Sequence, residues 1–331
     1  MDFATGHLLY DIPLFVAGLF LLLKGSGWFV DSASFIAKKF DVSEMVVGLT
    51  LVSVGTSLPE LATNVYASFT GEGDIALGNA VGSNLTNVTL VLGLGGLLYG
   101  TLSIPDSILK RDLRIMLLVY VVFAGMCWMC PWEGRFLLRW EGLVLLAMFA
   151  VYSWWLFRSG KVASDSGGVS EKDCGAIRSL SGAAFFFAVG LAMITCGAKM
   201  SVDTVVVTAE GLHVPKEIIS ATVIAFGTSV PELAVTVTGL RKDKNDLALG
   251  NIVGSCIFNL VLVMGTAVTI TPIAVSDEMA KVSLPLMLFS GAVLLVLARN
   301  KRRLARWESA TLLAVYVVFI GYNAWLAVGV A

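Results

Sequence analysis

Two short segments carry the groups best suited to chemistry, and each occurs twice. Gly55-Thr-Ser-Leu-Pro-Glu60 returns as Gly227-Thr-Ser-Val-Pro-Glu232, and Gly78-Asn-Ala-Val-Gly-Ser83 returns as Gly250-Asn-Ile-Val-Gly-Ser255, both displaced by 172 positions. Each copy sets a carboxylate, two hydroxyls, a proline and a glycine within apolar stretches long enough to span a bilayer, where an ionisable side chain is costly and by default functional. Glu60 and Glu232 are therefore the leading candidates.

On an ideal helix Thr56 and Glu60 lie one turn apart on one face, as do Thr228 and Glu232, with Ser57 and Ser229 beside them. Asn79, Ser83 and Asn87 recur at intervals of four, and so do Asn251, Ser255 and Asn259. Pro59 and Pro231 lack an N–H and crowd the carbonyls of Gly55 and Gly227, which in lipid must find another partner, a bound cation being one. Carboxylates, hydroxyls, amide oxygens and freed carbonyls make an all-oxygen cage for a hard cation. Ca2+ takes about 6 to 8 oxygens in flexible geometry, whereas Mg2+ demands an octahedron and keeps water. Zn2+ or Cu+ would call for His or Cys, and the two histidines, His7 and His213, fall in or near exterior segments. Two acids close together in low dielectric repel, so without a cation at least one holds a proton or is balanced by other ions. One divalent ion, several monovalent ions and protons then compete for one site, which is the physical basis of antiport.

Plainer readings stand beside this one. Glu60 and Glu232 could serve as polar glue between broken helices, but two buried acids without a buried basic partner cost more than a helix contact requires. The asparagines and serines, taken singly, also read as packing residues. Asp31 and Asp203 read as caps or solvated groups toward helix ends, and Asp74 and Asp246 as N-caps of the third and eighth spans. Cys127 and Cys130 form a C-x-x-C at a span end with no second pair nearby, which reads as apolar residues. A catalytic reading of Ser57/Glu60 or Ser229/Glu232 lacks a His or Lys base at suitable spacing, so no enzyme is expected.

The elements that hold these residues are hydrophobic. Of 331 residues 57% are apolar and 14% charged, with mean hydropathy +0.84, against about 25% charged in soluble domains. The chain reads as an all-α integral membrane protein of ten transmembrane helices near 8–37, 43–69, 74–99, 112–130, 140–157, 180–209, 215–240, 246–271, 280–298 and 308–329. An outer-membrane barrel would need alternating strands, and runs such as Leu286 to Leu297 do not alternate. Asp2, with no basic residue, precedes the first span, which argues against a cleaved leader. Basic residues gather at the joints after odd-numbered spans, as at Lys38, Lys39, Arg241 and Lys242, leaving Arg135, Arg139, Lys216 and Lys281 opposite. Both termini are thus expected on the extracytoplasmic side of the plasma (inner) membrane. No basic stripe points to nucleic acid, and neither a cofactor nor an obligate protein partner is indicated.

Between Thr50 and Gly93 about half of the positions are identical to those 172 further on. Each half holds five spans, an odd number, so the second enters the membrane the other way up. The division expected is 1–157 for the first repeat, 158–179 for a short cytoplasmic linker and 180–331 for the inverted second repeat. In transporters of that design the site lies at the midplane, where discontinuous helices of both halves meet.

The doubled G-T-S-x-P-E followed by G-N-x-x-G-S-N/C-x-x-N resembles the Na+/Ca2+ exchanger family of the Ca2+:cation antiporter superfamily, over almost the whole chain. The resemblance implies ten helices in which spans two, three, seven and eight surround the ions, while spans one and six slide across them on the smooth surface of Gly18, Gly25, Gly190 and Gly197. It implies a Ca2+ site of the Glu60 and Glu232 carboxylates with the Thr56 and Thr228 carbonyls. Flanking Na+ sites would draw on Ser57, Ser229, Ser83 and Ser255, with backbone oxygen from Ser53 and Ala225, and Asn87 and Asn259 would complete the polar centre. Ca2+ and Na+ are then transported ions rather than cofactors, and the large regulatory domains of animal exchangers are absent.

Other couplings are distinguished by single positions. The cation/proton branch usually carries an acid where Gly82 and Gly254 stand, which disfavours H+ as the coupling ion. A passive channel would also use rings of acids and carbonyls, but matched breaks in inverted halves favour alternating access. Some relatives carry Asp at the position of Asn259, associated with K+ dependence in the branch that co-transports K+. Exchange is accordingly expected to be K+-independent: replacing K+ by choline on both sides of a vesicle is to leave Ca2+ uptake unchanged, and a K+ requirement would sink this expectation.

Overall fold

The computed structural model describes residues 8–129, 135–159, 177–211, 225–300 and 302–329. Sequence readings on His7, Cys130, Cys174, His213, Lys216 and residues 160–176 of the 158–179 linker fall outside these residues.

The first half contains α1 (Leu8–Lys39), a bent pair α2 (Glu44–Thr56) and α3 (Leu58–Thr70), then α4 (Gly73–Tyr99), α5 (Leu113–Trp128) and α6 (Arg139–Ser159). The second contains α7 (Leu180–Gly211), the short α8 (Ala225–Gly227), α9 (Val230–Arg241), α10 (Asn245–Ile270), α11 (Met279–Arg299) and α12 (Arg306–Gly329). Helix occupies the described part of every expected span. By length and composition, six helices among the described residues can cross a membrane, seven if α2 and α3 count as one. The count falls short of ten partly because spans two and seven are broken.

The breaks follow from proline. Pro59 and Pro231 stand in the first turns of α3 and α9, where a missing N–H is tolerated, and the preceding helix stops at Thr56 and Gly227. The α2 and α3 axes meet at a 44° bend. α4 and α10 form the centre: 94% of the most apolar stretch of α10 is buried within the protein, against 22% for α7, which turns most of its surface outward. Each central helix changes to a π turn at a sequence-predicted asparagine, Asn87–Val91 in α4 and Asn259–Met264 in α10. Such wide turns inside α-helices recur at functional sites.

The paired helices α1 and α7 lie across this centre. Gly18 faces Gly197 and Gly25 faces Gly190, so the two helices run antiparallel. Gly190 and Gly197 are the repeat mates of Gly18 and Gly25, and equivalent helices of the two halves therefore point in opposite directions.

Two short ribbons outside the helices interrupt the all-α expectation. β1 (Leu102–Ser103) pairs antiparallel with β4 (Arg303–Leu304), and β2 (Phe136–Leu137) with β3 (Ile273–Ala274). Each joins one half to the other and carries an ion pair, Arg302–Asp106 at 2.8 Å and Arg135–Asp277 at 3.0 Å. The ammonium groups of Lys110 and Lys281 chiefly hold the carboxyls of Asp106 and Asp277 below their ordinary range.

Two assignments change. The N-cap positions of α4 and α10 are Glu72 and Lys244, neither making a side-chain cap, while Asp74 and Asp246 stand inside the first turn, where the helix dipole favours negative charge. Asp31 and Asp203 lie within α1 and α7 rather than at their ends and are ion-paired, with Lys242 at 2.6 Å and Lys199 at 2.9 Å.

A Cβ on Gly197 would lie 2.6 Å from the Gly18 carbonyl oxygen, whereas one on Gly125 of α5 would meet nothing within 4 Å. Gly197→Val is expected to cost roughly 1–3 kcal/mol through overpacking and to lower the melting temperature of the purified protein. Gly125→Ala is to leave it unchanged or raise it, and equal effects at both positions would contradict the close packing of α1 on α7.

Candidate cation-binding site

Both helix breaks open onto the middle of α4 and α10. There Glu60 and Glu232 are completely buried. Neither oxygen of Glu60 has a hydrogen-bond partner among the protein's atoms, nor has Oε2 of Glu232. Oε1 of Glu232 accepts a long bond from Ser57 Oγ at 3.4 Å, across the boundary between the halves. A buried carboxylate left with open lone pairs is costly unless a counter-charge meets it. Among the described residues no group of three or more His, Cys, Asp and Glu side chains stands together. The cage is therefore two acids and neutral oxygens, the donor set of a hard cation.

The threonines are fixed from the opposite half. Thr56 Oγ1 donates to Asn251 Oδ1 at 3.1 Å and lies 3.3 Å from Ser255 Oγ. Its mate Thr228 repeats the arrangement, donating to Asn79 Oδ1 at 3.0 Å and lying 3.2 Å from Ser83 Oγ. These bonds fix the orientation of both threonine hydroxyls while leaving their oxygens lone pairs, and Pro59 and Pro231 withhold an amide from the carbonyls of Gly55 and Gly227. Backbone and hydroxyl oxygens are both available to a ligand.

The other sequence-predicted residues gather around them. Ser53 is buried and donates to the Thr50 carbonyl at 3.1 Å. Ser229 is buried with an unpartnered hydroxyl. Asn87 is buried with neither amide atom partnered, while Asn259 donates to Asn84 Oδ1 at 3.3 Å and leaves its own Oδ1 open. Ala225 begins the short α8, so its carbonyl stands just ahead of the second break.

Three supporting residues were missed in the sequence. Asn64 accepts from Asn79 Nδ2 at 2.7 Å and donates to the Ala76 carbonyl, Thr236 accepts from Asn251 Nδ2 at 3.4 Å, and Asn84 holds Asn259. Asn64 and Thr236 each follow a glutamate by four positions, the interval that puts them on its helix face, and that spacing was legible.

Access to the site differs between its two faces. A cavity of about 300 Å3 lined by Pro59, Thr63, Lys199, Asp203, Gly227 and Thr228 reaches the second break. On the other face Phe29, fully buried and stacked on Phe187 at 4.3 Å, packs against Gly55 at the first break.

A membrane-embedded helical protein whose duplicated halves each deliver one buried carboxylate to a shared oxygen cage has the build of a secondary cation transporter. Comparison with known proteins agrees. The family model described as sodium/calcium exchanger protein matches residues 10–158 and again residues 182–325. The chain belongs to the sodium/calcium exchanger family, a family of membrane antiporters. It is 34% identical to the sodium/calcium exchanger MaX1 of Methanosarcina acetivorans, over 93% of this chain and 96% of that protein. It is 30% identical to the inner membrane protein YrbG of Escherichia coli, over 97% and 98%. Among solved structures, the sodium-calcium exchanger NCX_Mj soaked with Na+ and Sr2+ matches with a TM-score of 0.80 at 28% identity, over 95% of this chain and 99% of that one.

A Cβ on Gly254 would lie 2.6 Å from Ser53 Oγ and 2.7 Å from the Leu49 carbonyl oxygen. Gly254→Ala is expected to push α2 off α10 and reduce transport by about tenfold or more. Initial rates of Ca2+ uptake, normalised to protein, check this, and a wild-type rate would contradict the packing.

Proposed function

We propose that this protein is a secondary antiporter that exchanges Na+ for Ca2+ by alternating access, without K+. The observation that carries the reading is the pair of buried glutamates, one from each half, whose open oxygens converge with neutral oxygen donors, with no histidine or thiol cluster among the described residues. The Na+ and Ca2+ specificity draws on the family and on the named relatives.

In this reading the chain forms ten spans as two inverted five-helix repeats, 1–157 and 180–331, joined by the 158–179 linker, with both termini outside the inner membrane. The antiparallel packing of α1 on α7 supports it. Glu60 and Glu232 hold Ca2+ together with the Thr56 and Thr228 carbonyls. Ser57, Ser229, Ser83 and Ser255, with the carbonyls of Ser53 and Ala225, serve the flanking Na+ ions, and Asn87 and Asn259 line the centre. Two negative charges are balanced either by one Ca2+ or by more than one Na+, so the two loads exclude each other. Only a neutralised site can pass the apolar barrier as α1 and α7 move, because an empty pair of buried acids opposes the motion. That rule couples the two fluxes.

The test is 45Ca2+ uptake into proteoliposomes loaded with Na+, K+ or choline. Uptake is expected only with an outward Na+ gradient, and Glu60→Gln or Glu232→Gln is to reduce it by at least about a hundredfold. Uptake indifferent to Na+ but driven by a pH gradient would replace the coupling ion with H+. Non-saturable flux without counterflow would replace the carrier with a channel.

A further inference from the structure

A hydroxyl offers its oxygen to a cation only while its proton is directed elsewhere, so the sense in which hydrogen bonds run through the cage bears on what the cage binds. Around the second break that sense is imposed from outside the site. Asn64, fully buried on α3, donates from Nδ2 to the Ala76 carbonyl at 3.0 Å, and the same Nδ2 lies 3.5 Å from Met264 Sδ. A backbone carbonyl and a thioether can only accept, so the Asn64 amide has one orientation and its Oδ1 is the atom left for Asn79.

Every further link follows from that anchor. Oδ1 of Asn64 meets Asn79 at 2.7 Å, so Asn79 presents Nδ2 there and leaves its own Oδ1 to Thr228. Thr228 has a single hydroxyl proton and gives it to that oxygen at 3.0 Å. The 3.2 Å contact between Thr228 and Ser83 is then a hydrogen bond only with Ser83 as donor. From Ser83 through Thr228, Asn79 and Asn64, all donations run one way and end on the Ala76 carbonyl. Both hydroxyl protons are spent inside the chain, and Glu60, one turn before Asn64 on α3, keeps both oxygens open. Donation along such a chain also makes each donating oxygen a stronger acceptor.

Without the Asn64 amide, Asn79 is released to turn over and donate to Thr228. The protons of Thr228 and Ser83 are then free to go to a carboxylate in place of a cation. The other half carries Thr236 at the mate position, where a hydroxyl accepts from Asn251 Nδ2 at 3.4 Å, so a threonine on this helix face can also receive an asparagine amide.

We propose that Asn64 is a positioning residue for Na+ affinity: it sets the direction of the chain, so that Ser83 and Thr228 face the ions as acceptors alone. The inference rests on the reading above, in which Ser83 serves a flanking Na+ while Ca2+ draws on the glutamates and the threonine carbonyls. Na+ binding accordingly depends on Asn64 more than Ca2+ binding does.

The experiment follows the thermal unfolding of the purified full-length protein titrated with Na+ against choline, and separately with Ca2+, for wild type, Asn64→Leu, Asn64→Ala and Asn64→Thr. Asn64→Leu is expected to raise the half-saturating Na+ concentration about fivefold, the equivalent of one hydrogen bond, and to leave that for Ca2+ within about twofold. Asn64→Ala carries the same expectation and keeps the test open if the leucine variant does not fold. Asn64→Thr is to bring Na+ back to within about twofold of wild type, which a merely structural role has no reason to do. Equal shifts for both ions, an unchanged Na+ titration in the leucine and alanine variants, or a threonine variant no better than alanine would each overturn the role of Asn64. The titrations require no exchange, so a wild type that binds both ions and yet does not exchange them would overturn the antiport reading and leave this role standing. A wild type unresponsive to Na+ would overturn both.

Discussion

Two acids buried in one cage govern this structure. Among the described residues Glu60 and Glu232 have no ion-pair partner, and most of their oxygens accept no hydrogen bond, so stability and ion binding are linked through the same atoms. Supplying oxygen ligands inside an apolar bundle requires backbone that is not fully bonded, and the prolines at 59 and 231 provide it while their helices continue on either side. The surrounding hydrogen bonds then act as braces. Each threonine at a break is held by the asparagine and serine of the other half, so neither break has its final shape without the partner motif.

The same arithmetic explains the distribution of apolar surface. α4 and α10 are buried because they carry the amide and hydroxyl stripe, and that stripe must be kept from lipid. α1 and α7 show exposed residues such as Ile12, Phe20 and Phe185 outward and meet one another through glycines. At these glycines backbone approaches backbone, while Phe29 stacks on Phe187 and Trp28 meets Phe186 edge-on beside them, so the two helices pack as one paired unit.

Much of this was legible because the decisive signals were local and doubled. Pro59 and Pro231 marked the breaks, spacings of four placed the oxygens on shared faces, and the repeat itself implied that the halves meet. What escaped depended on which side chain reaches across. Asp31 looked like a solvated group because its partner, Lys242, lies 211 positions away. Asp74 and Asp246 looked like caps because the sequence does not say that the helix begins one residue earlier, at Gly73 and Asn245. The ribbons were invisible because each strand has two residues, too few for any alternation to register.

Those ribbons bear on how the chain is made. Leu102 pairs with Leu304 and Leu137 with Ile273, so each strand of the first half finds its partner in the second. During synthesis the first five helices emerge with both strand edges unmatched and with Glu60 facing no companion. The first half thus waits for the chain from Leu137 to Ile273 before its edges can close, and neither ribbon forms until both halves are present.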